Sequence, residues 1–116
     1  IGGTEKTFCC FNAAAPDYAK VGLMILNNGM TGDKRIISTD WVKRITTPVE
    51  KLDGWGYGAL TRHPFEGTSM MDGLHGQYVF IDPKTRTVIV KLSDVPTGLD
   101  LSRPTAAVFK QISEQN

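Results

Sequence analysis

The chain has 116 residues, a length that suits one domain and no more. Its 13 Lys and Arg nearly balance 12 Asp and Glu, leaving a formal charge of +1, so nothing in the charge points to nucleic acid or a membrane as partner. Hydrophobic residues make up 41%, enough for a core, while the longest apolar stretch, Val21 to Leu26, falls far short of the ~20 residues of a membrane span.

The chain opens Ile1-Gly2-Gly3 without Met and without the basic-then-apolar start of a signal peptide, and reads as a segment of something longer. Cys9 and Cys10 are adjacent. Neighbouring thiols form a strained disulfide and cannot alone complete a zinc site, so they read as small packed residues beside Phe8 and Phe11 rather than a vicinal redox pair. No cysteine framework, metal site or cofactor is expected. That cysteine usage favours a reducing, cytoplasmic compartment over a periplasmic one.

Pro16 to Leu26 predicts a helix, with Pro16 in the first turn, Asp17 near its positive end and Ala19, Gly22, Leu23 and Leu26 on one buried face. Asn27-Asn28-Gly29 supplies a left-handed stop. Ser38 caps a second helix from Thr39 to about Thr46, with Trp41, Val42 and Ile45 on its apolar side and Pro48 after its end. At Gly54 the pattern changes. Trp55 to Thr61 alternates Gly with large residues, as in a strand that something approaches closely. Tyr57 and Trp55 are candidates for lining a pocket or for the core, and His63-Pro64 reads as an exposed loop.

Gln77 to Ile81, a turn at Asp82-Pro83-Lys84-Thr85 and Thr87 to Leu92 predict an antiparallel hairpin. Pro104 opens a last helix with Val108, Phe109 and Ile112 on one face. The expected fold class is α+β, an antiparallel sheet with helices packed on it: a helical part over 1–53, then strands and a C-terminal helix over 54–116.

Motifs that carry chemistry are sparse. There is no G-x-S-x-G elbow, and Ser38, Ser69, Ser93, Ser102 and Ser113 all lack a lysine three residues on. The informative stretch is Met71-Asp72-Gly73-Leu74-His75-Gly76-Gln77-Tyr78. Two glycines three apart at a strand start give a ligand or another backbone close access, or simply relieve a bulge. His75 reads as a hydrogen-bonded or edge-exposed histidine, with substrate contact as the alternative.

The stretch Phe8-Cys9-Cys10-Phe11-Asn12-Ala13-Ala14-Ala15-Pro16-Asp17-Tyr18-Ala19-Lys20-Val21-Gly22-Leu23 resembles the helix segment of serine β-lactamase-like hydrolases, the class C and esterase branch. The similarity continues through Leu26-Asn27-Asn28-Gly29, Ile36-Ile37-Ser38-Thr39-Asp40-Trp41-Val42, Gly54-Trp55-Gly56-Tyr57-Gly58 and Gly73-Leu74-His75-Gly76-Gln77-Tyr78 to Ile81-Asp82-Pro83. It is nearest in character to the 6-aminohexanoate-dimer hydrolase group. The resemblance implies the last third of that fold. The nucleophilic Ser-x-x-Lys and the catalytic tyrosine or serine would lie in a preceding part of the same protein. The family's K-T-G or H-x-G strand falls on Met71-Asp72-Gly73, where only the glycine matches, which favours a neutral amide or ester substrate over a β-lactam carboxylate.

By the same resemblance, the Leu74 backbone N–H, next to the motif glycine Gly73, would point into the oxyanion hole; Gly73, His75 and Tyr57 are the candidate substrate-binding residues. Gln77 to Leu92 and Trp55 to Thr61 would lack strand neighbours in the isolated segment. The competing reading is a non-catalytic binding or structural module of the same fold.

Overall fold

The computed structural model describes residues 11–115. Cys9 and Cys10 lie outside the described residues. Helix α1 (Ala15–Leu26) carries Pro in its first turn and ends at Asn27, after which Asn28 (φ 55°) and Gly29 (φ 83°) turn the chain left-handed. A two-residue ladder of β1 (Met30–Thr31) and β2 (Lys34–Arg35) follows. Helix α2 (Thr39–Thr46) is capped as expected: Ser38 Oγ accepts the Trp41 N–H at 3.2 Å.

The rest is an antiparallel meander in chain order: β3 (Glu50–Leu52), β4 (Trp55–Gly58), β5 (Thr61–His63), β6 (Ser69–Gly73), β7 (Gln77–Asp82) and β8 (Thr87–Lys91). Helix α3 (Ser102–Glu114) closes the chain. The α+β class is therefore what the structure has. The sheet takes its first strand, β3, from before Gly54.

Side-chain alternation along β7 divides the core. Tyr78 and Phe80 pack with Met70 against Ala106 and Phe109 of α3. Val79 and Ile81 pack with Ile25 of α1 and Val42 of α2 on the other face. Helix α1 crosses so closely that a Cβ at Gly22 would stand 2.5 Å from a Val88 methyl.

Several local expectations are corrected. Trp55 to Thr61 is two strands, because Ala59 (φ 47°) and Leu60 (φ 59°) form a tight left-handed turn between them. What comes close to this glycine-rich stretch is the chain itself: Cβ atoms at Gly56 and Gly58 would meet Pro48 and the Thr47 carbonyl. Leu23, Trp41, Val108 and Ile112 are exposed, so the buried helix faces run instead through Gly22 and Ile25, through Val42, and through Ala106 and Phe109.

His63 is a buried strand residue, not an exposed loop residue. It ends β5 with Nδ1 3.0 Å from the Thr68 carbonyl. Among the described residues the sheet edges are β3 and β8, so β4, β5 and β7 each have a strand on both sides and do not lack neighbours, while Thr87–Lys91 has one on one side only. No helix among the described residues is long and apolar enough to cross a membrane.

Candidate active site

Strands β6 and β7 pair continuously from Ser69↔Ile81 to Gly73↔Gln77, but β5 and β6 pair only at Arg62↔Met70. Beyond that pair the two strands part. The end of β6 that carries Asp72 and Gly73 thus has a paired strand on one side only among the described residues.

A cleft of about 530 Å³ lies in this gap, and it brings together Tyr57, Gly73, Leu74 and His75, whereas Trp55, the other pocket candidate, packs against the core. Tyr57 arrives from β4, opposite Arg62 on β5. Gly73 ends β6, and Leu74, His75 and Gly76 make the whole connection to β7. A second cleft, about 620 Å³, lies on the α1 side of the same turn and shares Gly73, Leu74 and His75 but not Tyr57. The turn is the ridge between the two.

Local chemistry explains the turn. His75 (φ 62°) and Gly76 (φ 75°) are both left-handed, a conformation that a non-glycine adopts only when its surroundings hold it. The His75 Nδ1–H donates to the Val95 carbonyl at 3.0 Å. Leu74 is 73% exposed, and its carbonyl accepts from Gln77 Nε2 at 3.2 Å.

Sequence reasoning missed the charged floor of the cleft. Arg62 Nε lies 2.9 Å from Asp72 Oδ2, and the guanidinium also sits 5.8 Å from the centre of the Trp55 ring. Burial raises the Asp72 pKa above the usual carboxylate value; Arg62 opposes that shift and the charge of Asp100 adds to it. Burial is also the leading reason that the Tyr78 phenol is raised. Arg62 and Asp72 sit on strands that share a single bridge, so no sequence spacing joins them. No group of three or more His, Cys, Asp or Glu able to hold a metal occurs among the described residues.

No family model matches the chain. A curated protein of Paenarthrobacter ureafaciens, 6-aminohexanoate-dimer hydrolase, is 33% identical over an alignment of 98 residues that covers 73% of this chain and 25% of that protein. The chain is a relative of 6-aminohexanoate-dimer hydrolase. It spans about a quarter of that relative's length. A solved Bacillus anthracis structure named "Putative 6-aminohexanoate-dimer hydrolase" superposes with a TM-score of 0.75 at 24% identity, covering 89% of this chain and 29% of that one. The fold is therefore that of a portion of this hydrolase, and the resemblance drawn from the glycine and turn motifs is borne out.

Proposed function

We propose that the chain is the oxyanion-side segment, towards the C-terminus, of a serine hydrolase that cleaves amide or ester bonds through an acyl-enzyme. The observation that carries this reading is the open end of β6. There Gly73 and the exposed Leu74 face a cleft with no paired strand on that side among the described residues. An acyl group laid along this edge would bring its carbonyl oxygen to the Leu74 N–H. A rigid backbone donor of that kind stabilises a tetrahedral intermediate by about 2.7–4 kcal/mol.

Gly73 leaves room beside the acyl carbon, and Tyr57 and His75 line the walls. The nucleophile, its lysine and a third catalytic group come from a preceding part of the same protein. The acidic Asp72 stands at the second place of the motif, and no cationic residue precedes it at Met71, which suits a substrate without a carboxylate there. The same open edge also fits an added peptide strand, which supports the second reading, a binding module without chemistry.

The test uses the whole gene product. Turnover of p-nitrophenyl acetate and of a linear amide, lost after a serine-directed phosphonate labels a serine outside this chain, is the expected result. The chain alone should give the background rate. A full-length protein that is inert and unlabelled would favour the binding module, and phosphonate-sensitive turnover by the chain alone would contradict the proposal.

A further inference from the structure

The turn that carries Leu74 is fastened by Lys91, the last residue of β8, and by Ser93 and Val95 just past it. Ser93 Oγ lies 2.8 Å from the His75 carbonyl oxygen and 2.7 Å from that of Gly76. Lys91 Nζ donates to the Gly76 carbonyl at 3.0 Å and to Ser93 Oγ at 2.8 Å. The Val95 N–H donates to the His75 carbonyl at 3.0 Å, and His75 Nδ1–H returns a bond to the Val95 carbonyl.

The arithmetic of donors is informative. Ser93 has one hydroxyl hydrogen to share between two carbonyls, and Lys91, with three, fills the serine's acceptor site and reinforces the Gly76 bond. The fit is close: a Cβ on Gly76 would stand 2.9 Å from Ser93 Oγ.

A hairpin already closed by Gly73↔Gln77 does not need these bonds to exist. They bear instead on where the turn sits. With its side chain exposed, Leu74 has little packing to fix its height, so the position of its N–H is set by the backbone bonds on the two residues that follow. One of the two, His75, is a non-glycine held at φ 62°, a conformation that would relax if released.

We propose that Lys91 and Ser93 are positioning residues for the oxyanion donor, holding the Leu74–Gly76 turn so that the Leu74 N–H meets the developing negative charge. The inference rests on the hydrolase reading above.

The test compares Ser93→Ala, Ser93→Thr and Lys91→Met in the full-length protein, each checked for folding by circular dichroism. Kinetics are measured on a matched ester and thionoester. Sulfur is a poor acceptor, so a well-placed backbone donor favours the oxygen substrate strongly. Ser93→Ala and Lys91→Met should lower kcat on the ester by about tenfold with KM nearly unchanged, since a misplaced donor costs rate rather than binding. The preference for ester over thionoester should shrink in step. Ser93→Thr keeps the hydroxyl and should restore both quantities.

Loss of rate on both substrates by the same factor would overturn the proposal, because a merely structural role predicts that. So would failure of both Ser93→Ala and Lys91→Met to fold. An active parent with unaffected variants would sink the positioning role alone, whereas an inert parent would remove the hydrolase reading with it.

Discussion

Gly73 and Gln77 face each other as the last pair of β6 and β7, and a Cβ on Gly73 would stand 3.2 Å from the Gln77 carbonyl oxygen and 3.4 Å from its Cβ. The chain's own hairpin thus leaves room for little more than a methyl at this position. Its backbone, at φ −101° and ψ 158°, is ordinary extended geometry, so sterics and not torsion limit what can replace it.

Gly73→Ala should therefore be tolerated after a shift of a few tenths of an ångström. Gly73→Val should not. A branched side chain would push β7 outward and fill the space of the acyl group, lowering kcat by about 10²-fold, the cost of a ~1 Å misplacement. Steady-state kinetics on the two folded variants check this, and equal rates would show that neither effect operates.

Gly22 makes a comparable prediction for stability. A methyl there would sit 2.5 Å from one Val88 methyl and 3.1 Å from one on Val79, both on stiff β-branched side chains. Gly22→Ala raises helix propensity, yet it should destabilise by about 1–3 kcal/mol because α1 must lift off the sheet. A lower urea midpoint at unchanged m-value is the expected observation; a higher midpoint would mean that the helix is free to move.

Two buried groups set the acid response in separate windows. Burial lowers the His63 pKa below its usual 6.5, against a smaller opposing effect from the Thr68 carbonyl. The unfolded chain then takes up the proton first, so stability falls as pH drops below about 6.5. Asp82 behaves differently. Burial pushes its pKa up, but bonds from Lys110 and Ser113, the Lys110 charge and the Lys84 N–H together outweigh burial and hold it below 3.8. Its contribution is complete above the usual carboxylate value and is lost as pH falls through the lowered one.

Denaturation midpoints across pH should therefore decline in two steps. His63→Phe should flatten the upper step, and Asp82→Asn the lower. Asp82→Ala should cost about 1–3 kcal/mol near neutral pH, since it removes the buried acceptor of Lys110, Ser113 and the Lys84 N–H, which ties α3 to β7, while Lys110 keeps access to water. A single decline below pH 4 in the parent would remove His63 from this account.

The parts of the fold legible in the sequence are those with local punctuation. Pro16 and Asn27-Asn28-Gly29 bound α1, Ser38 caps α2, and Pro83 marks the turn before β8. The parts that were not legible lack it. Glu50–Leu52 is short, polar and exposed, with no alternation to betray a strand. Ala59 and Leu60 take left-handed angles without the Asn-Gly or Asp-Gly pair that would announce a hairpin.

His63 is buried by strands and a loop that assemble around it, which a neighbouring proline conceals. At the site, the Gly73 and Gly76 spacing was readable because both serve one turn. Arg62 with Asp72, and Lys91 with Ser93 beneath the turn, become neighbours only once the strands have registered.

The most direct measurement is the kcat of Leu74→Pro beside Leu74→Ala in the full-length protein. Proline fits here because Gly73, at ψ 158°, already has the extended backbone that a following proline requires. The change removes the N–H and fixes φ near −65°, and Leu74→Ala controls for the lost side chain. If that N–H is the oxyanion donor, Leu74→Ala stays within a few-fold of the parent while Leu74→Pro, still folded by circular dichroism, loses about 10²–10³ in kcat. A folded Leu74→Pro variant with the parent's kcat would contradict the account and leave this turn a structural role only.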